Sequence, residues 1–234
     1  MKKILLIFLC ILLVSVNCFA EFVISPKIGY SNIFSLNPGE TQNLTFFHKN
    51  SLNTFAVSAD MGYIGNKGFT FLFNNNFSFL GSINKKMPFN NVDIDINFKK
   101  IKGAYWNGEL LFGYTFKQPM VYCTLAAGFG AGTALNMSPE SVEFNGNSVN
   151  IKDFFSIESF NAGLALYISA AYYFTKNIGI SFSLTDTLGF GIFNYLMRAQ
   201  NTVAINSVLG NNGLNGSGGF SNVFYLKIGP VFKF

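Results

Sequence analysis

The stretch Phe160-Asn161-Ala162-Gly163-Leu164-Ala165-Leu166-Tyr167-Ile168-Ser169-Ala170-Ala171-Tyr172 decides the fold. Taken in twos, Phe160, Ala162, Leu164, Leu166, Ile168, Ala170 and Tyr172 fall on one side. Asn161, Gly163, Ala165, Tyr167, Ser169 and Ala171 fall on the other. A repeat of two is the geometry of a β-strand, whose side chains point alternately to its two faces. One face is apolar and mostly large; the other is small or polar.

The pattern spreads outward in both directions. Toward the C-terminus, Ile178, Ile180, Phe182, Leu184, Leu188 and Phe190 alternate with Gly179, Ser181, Ser183, Thr185, Gly189 and Gly191. Phe220, Phe224, Leu226, Ile228, Phe232 and Phe234 then alternate with Ser221, Tyr225, Lys227, Gly229 and Lys233. Toward the N-terminus the runs Val121–Phe129, Trp106–Phe116, Phe69–Phe79, Phe55–Tyr63 and Phe22–Tyr30 behave likewise, which makes eight strands in all. Short links are expected at Gly65-Asn66-Lys67-Gly68, Lys117-Gln118-Pro119 and Thr175-Lys176-Asn177. Long links are expected near 35–51, 84–103, 134–155 and 195–219. Long and short links take turns, as in an antiparallel meander with every long loop at one end. Transmembrane barrels place short turns on the periplasmic side and long loops outside in this way.

The surroundings are read from the two faces. A soluble eight-stranded barrel is apolar inside and polar outside. Here the bulky residues form the apolar face, and Gly, Ser, Thr, Asn, Tyr and a few charges form the other. A narrow bore favours small and pairable residues, and a lipid face favours large apolar ones. The apolar face therefore points outward into lipid, and the sheet must close because lipid cannot satisfy an open edge. The reading is all-β: an eight-stranded antiparallel up-and-down transmembrane β-barrel. Asp186 falls in phase with the outward set of its strand. A bulge near Thr185 or a position near the outer lipid boundary would accommodate it.

Composition agrees. Half of the 234 residues are hydrophobic and only 12% are charged, well below the share in a soluble domain. Residues 1–20 read as a signal peptide: Lys2 and Lys3, an apolar run Ile4–Val16 and the small pair Cys18 and Ala20, with cleavage after Ala20. That run is short of the roughly 20 residues of a spanning helix. Past residue 20 no apolar run reaches about 18 residues, so no transmembrane helix is expected. The barrel domain is then 21–234. Without Lys2 and Lys3 it carries 14 basic and 11 acidic residues, a net of +3, with no dense basic cluster for nucleic acid. Cys123 is then alone, so no intrachain disulfide forms. With His48 as the lone histidine, no Cys/His metal site and no cofactor is expected.

The ending Phe224-Tyr225-Leu226-Lys227-Ile228-Gly229-Pro230-Val231-Phe232-Lys233-Phe234 resembles the C-terminal signal of outer-membrane barrels. Residues 21–234 as a whole resemble the small barrels of the OmpA-barrel, OmpX and OmpW type, and the composition is similar to uncharacterised small barrels of spirochaetes. The resemblance implies a location in the bacterial outer membrane. It implies recognition by the barrel-assembly machinery through Phe232 and Phe234, and outer-membrane lipid around the wall. It further implies either a surface-exposed structural or interaction protein, acting through an external partner at the four long loops, or an OmpW-like narrow channel for small or apolar solutes.

Chemistry-bearing motifs are few. Gly128-Phe129-Gly130-Ala131-Gly132 has glycines at alternate strand positions, which suits a narrow bore and not a phosphate loop. Asp93 and Asp95 share a face of a strand extension. Lipid-modifying barrels use His, Asp and Ser near the outer rim; His48, Ser138 and Ser141 fall in long links, but no nucleophile–base pair is legible, so the chain reads as non-enzymatic. The inward charges say more. Counting from the strand ends puts Lys27 level with Asp60, and Glu109 level with Lys227. Buried charges must pair, so these four residues are expected to form two ion pairs that fill the bore.

Overall fold

The computed structural model describes residues 19–41, 44–89, 92–144, 147–150, 155–197 and 218–234. The expected signal-peptide residues 1–18 and the link segment 198–217 lie outside them. The strands are β1 (Phe19–Thr41), β2 (Leu44–Gly65), β3 (Phe69–Phe89), β4 (Val92–Lys117), β5 (Val121–Phe144), β6 (Asn147–Asn150), β7 (Phe155–Tyr173), β8 (Ile178–Met197) and β9 (Gly219–Lys233). Eight of them close into a ring in which each neighbours the next and β9 returns to β1, all antiparallel. The short β6 lies outside the ring and pairs with the outer end of β5.

The register fixes the shape of the ring. Ile24 faces Met61, then Phe73, Leu110, Phe129, Leu164, Leu188 and Asn222 in turn, and Asn222 faces Phe34. One circuit therefore returns ten residues further along β1. With eight strands, that stagger tilts them by roughly 40° to the axis. Each residue then climbs about 2.5 Å, so a ~25 Å apolar band takes about ten residues of each strand.

The strands are far longer than that. β4 alone has 26 residues. The links expected at 35–51, 84–103 and 134–155 are largely strand, so the barrel continues past the lipid band as a second, outer tier. Four register shifts separate the tiers, at Thr54/Phe55, Phe79/Ile83, Lys102/Ala104 and Thr133/Met137. The left-handed residues Lys100 (φ 52°), Gly103 (φ 90°) and Asn136 (φ 51°) sit at these bulges. A Cβ on Gly103 would also come within 2.4 Å of the Asn136 carbonyl oxygen, so glycine is required there.

In the membrane tier the outward face is apolar: Phe69, Phe112, Phe129 and Leu164 are each more than 60% exposed. Its lower rim is aromatic, with Phe22 near Tyr63, Phe69 near Tyr114, and Tyr172 near Phe174. In the outer tier the polarity turns over. Ile33, Leu52, Ile83, Phe98, Ile101, Met137, Ile157 and Val223 are packed inside as one apolar cluster. Lys99 and Lys102 lie outside, paired with Glu143 at 3.0 Å and Glu140 at 2.9 Å. Water outside makes a soluble-type interior the favourable one.

Asp186 remains on the outward face, and the pairings of β8 run through it without a bulge. It accepts a 2.5 Å hydrogen bond from Asn222. Outward Asn32 continues this polar row, donating to Asn53 at 2.6 Å. On this side of the barrel the row marks the outer edge of the apolar belt.

Candidate functional site

Among the described residues, the bore is where buried ionisable side chains converge, and it is filled in layers. At the periplasmic mouth Glu21 takes Lys117 at 3.1 Å and Lys233 at 3.5 Å. Tyr122 donates to Glu21 at 2.9 Å and accepts from Lys233 at 2.9 Å. Behind this ring Val23, Ile64, Tyr122, Ala171, Tyr173 and Val231 form an apolar stopper. A cavity of about 30 Å³ follows, bordered by Ser25, Lys27, Asp60, Tyr167 and Ser181. It has room for one or two water molecules.

The next layer holds three of the four expected charges. Lys27 reaches Asp60 at 2.5 Å and donates to Ser183 at 2.9 Å. Lys227 also reaches Asp60, at 3.0 Å, and donates to Asn76 at 2.7 Å. Tyr167 adds a third donor to Asp60 at 3.2 Å. Asp60 thus serves both lysines, and the expected Glu109–Lys227 contact is not made. The barrel stagger is the reason: β4 and β9 lie on opposite sides of the ring, while Lys227 faces Gly29 on β1, next to the strand that carries Asp60.

Glu109 is held by neutral groups instead. It accepts from Asn74 at 3.0 Å, Asn107 at 2.9 Å and Thr187 at 3.2 Å, and it is fully buried. Asn74 is its direct cross-strand partner. Gly130 opposite makes room, since a Cβ there would meet Thr187 at 2.8 Å and Glu109 at 3.3 Å. Above this layer Tyr105 donates to Asn161, Ser31 and Ser78 are 2.8 Å apart, and Tyr225 caps Ser78. The apolar cluster of the outer tier closes the top. Attention to charge alone misses Asn74, Asn76, Asn107, Tyr105, Asn161, Ser183 and Thr187. All of them lie in the inward phase of the same alternations, and that phase is the signal that would find them.

Among the described residues of the membrane tier, the pairing is interrupted where the first and last strands meet. Phe22 and Phe234 exchange two backbone hydrogen bonds, at 3.0 and 2.8 Å. Bonded positions recur every second residue, so Pro26 and Pro230 face each other at such a position. Neither has an N–H to give. The pairing accordingly skips from Ile24↔Phe232 to Ile28↔Ile228. The Ser25 hydroxyl replaces one lost donor, reaching the Pro230 carbonyl at 2.7 Å. Outside the gap lies an apolar groove of about 810 Å³ that includes Pro26, Ile28, Val57, Ile180, Ile228 and Pro230. Lys27 borders both this groove and the inner cavity, so the wall there is one residue thick.

The other candidates are dispersed. Ser138 faces Lys102 and Ser141 faces Lys99 across β4 and β5. His48 is a residue of β2 opposite Asn37, and Asp93 and Asp95 belong to β4, but the side chains of these three lie outside the described residues. No group of three His, Cys, Asp or Glu side chains suited to a metal occurs among the described residues.

The fold is that of integral outer-membrane barrels. The outer membrane protein OprG from Pseudomonas aeruginosa aligns with a TM-score of 0.52 at 12% identity, over 92% of this chain and 95% of its own. The outer membrane protease OmpT from Escherichia coli aligns with a TM-score of 0.50 at 9% identity, over 92% of this chain and 97% of its own. Neisserial surface protein A aligns at 12% identity with a TM-score of 0.43, over 91% of this chain and 97% of its own. Comparison with curated proteins gives no match. The model of one family matches residues 18–234, and the chain therefore belongs to that family, described as a domain of unknown function, DUF2715.

Proposed function

We propose that this protein is a surface-exposed barrel of the bacterial outer membrane that acts through its outer tier, as a structural or interaction protein, with its bore closed. The stacked bore carries this reading. A conducting path would have to cross the stopper at Tyr122 and Tyr173, the Lys27–Asp60–Lys227 layer and the apolar cluster around Leu52 and Phe98. The external partner would meet the ends of the outer tier, within 35–51, 84–103, 134–155 and 195–219. Lipid surrounds the apolar belt, and the barrel-assembly machinery reads the last strand through Phe232 and Phe234. Phe234 also closes the lower end of the seam by its backbone bonds to Phe22. Single-channel recording after reconstitution tests the reading. The wild-type protein is expected to show no steady conductance, and steady conductance would overturn the closed bore.

The gap between Pro26 and Pro230 favours a second reading, a narrow path for small or apolar solutes through the wall. Ile28→Cys with Ile228→Cys would lock that seam, because directly paired residues lie within disulfide reach. Loss of apolar-solute flux on oxidation, restored by reductant, would support this path. Flux unchanged by the lock would remove it.

A further inference from the structure

We propose that the gap between β1 and β9 binds a neutral molecule of the long-chain alcohol class, whose hydroxyl donates to the Pro26 carbonyl and whose apolar body lies in the groove outside. In an antiparallel sheet the N–H and C=O of one residue point to the same neighbouring strand. At Pro26 that neighbour is β9, and a Cβ on Gly229 would come within 2.1 Å of the Pro26 oxygen. The donor expected there is the N–H of residue 230, which proline lacks. The Pro230 carbonyl suffers the same loss, but Ser25 repairs it with a 2.7 Å hydrogen bond. The equivalent place on β9 is held by Val231, which has no hydroxyl to return the favour. The gap therefore has one satisfied carbonyl and one unsatisfied carbonyl.

A buried carbonyl needs a donor, and lipid chains have none to give. Pro26 lies four residues above Phe22 in the chain. At a climb of about 2.5 Å per residue, that is about 10 Å above the lower aromatic rim. A donor reaching this depth has to travel on an apolar body. The groove of about 810 Å³ offers the place for one, running from Ile28 and Val57 past Pro26 to Phe174 and Ile178.

The carbonyl also selects. It accepts a hydrogen bond and cannot give one, so an alcohol fits and its ether does not. An anionic head group finds no free counter-charge, because Lys27, the cation beside the groove, is engaged by Asp60 and Ser183. The site needs no passage of solute through the wall, so it is tested by binding and not by flux.

The full-length barrel in phosphatidylcholine vesicles is photolabelled with a diazirine-tagged dodecanol and with its methyl ether, which has the same body and no donor. Mass spectrometry then locates the label. On β1 and β9 the alcohol should exceed the ether by roughly three- to tenfold. On the lipid face around Phe129 and Leu164, where the pairing of β5 and β7 is unbroken, the two should label equally. Pro230→Ala restores the missing N–H and should abolish the preference. Pro26→Ala supplies a donor only to the opposite carbonyl and should keep it. No preference in the wild type, a preference that survives Pro230→Ala, or its loss in Pro26→Ala would overturn the site. Should Pro230→Ala fail to fold, Val231→Ser decides. It places a hydroxyl where Ser25 has its own, within reach of the Pro26 carbonyl, and a preference that survives it would count against the site.

Discussion

Asn74, Asn76 and Ser78 of β3 point into the bore, and five residues beyond Ser78 the same strand sends Ile83 inward. β4 changes in the same way, from Glu109 and Asn107 to Ile101 and Phe98. One continuous strand therefore lines a polar interior at one height and an apolar interior at the next. The solvent outside explains the change. Where lipid surrounds the wall, large apolar side chains go outward and the bore is left to groups that satisfy one another. Where water surrounds it, burial of apolar surface again favours the inside. The change needs no shift of phase in β1, β2, β7 and β9, where Ile33, Leu52, Ile157 and Val223 follow the inward positions below them, whereas in β3 and β5 it coincides with the bulges at Phe79/Ile83 and Thr133/Met137, which move the inward set by one residue.

The largest effect is expected at Asp60, the carboxylate that both buried lysines contact. Asp60→Asn leaves Lys27 and Lys227 buried without a counter-charge. Breaking a buried pair costs about 3–5 kcal/mol, somewhat less with water in the adjoining cavity. Adding Lys227→Met should recover part of the loss. In a double-mutant cycle Asp60 and Lys227 should couple, whereas Glu109 and Lys227 should couple far more weakly. Stronger coupling for Glu109 would show that Lys227 is held by Glu109 and not by Asp60.

The membrane tier was legible in the sequence because its alternation is unbroken. Phe160 to Tyr172 keeps one phase from end to end, and its two faces differ in both size and polarity. Lys27 and Asp60 could be matched by counting up from the strand ends, because their strands are direct neighbours. Glu109 and Lys227 could not, since the ten-residue stagger accumulates over the strands between them and counting within single strands does not contain it. The outer tier was hidden for a different reason. A bulge resets the phase, so Ile83, Phe98 and Met137 do not line up with the runs below. Their outward neighbours, Lys99, Lys102 and Glu143, have the composition of loops. Polar outward residues with apolar inward ones are what a strand in water needs, but without the phase shift that pattern reads as irregular.

A comparable loss confined to the other region is expected from Phe98→Ala. Truncating a buried Phe typically costs about 3–5 kcal/mol, and Phe98 packs within the outer cluster. Limited trypsin digestion of intact cells should then cut at Lys99, Lys100 and Lys102 more readily. The membrane tier should keep its heat-dependent gel mobility, because its bore layers do not contain Phe98. If both tiers melt together in this variant, they are one cooperative unit, and the boundary at the bulges is one of polarity alone.

The smallest effect is expected at Asp186, which lies where the two regions meet on β8. A charge facing mid-bilayer is costly, and near the interface the cost falls to about 0–1 kcal/mol, with acidic groups at the low end. Asp186→Asn keeps a hydrogen-bonding group beside Asn222 and removes the charge, so it should change stability by less than about 1 kcal/mol. Asp186→Leu removes both charge and partner, and the lost hydrogen bond of roughly 1 kcal/mol offsets what lipid gains from an apolar side chain. The two variants should therefore unfold within a few degrees of wild type. A clear stabilisation by Asp186→Leu would mean that lipid tails reach above the Asp186–Asn222 pair. The aromatic groups beyond it, Phe34, Phe190 and Phe220, would then belong to the membrane tier, and the polarity boundary on this side would lie higher than the polar row of Asn32 and Asn53.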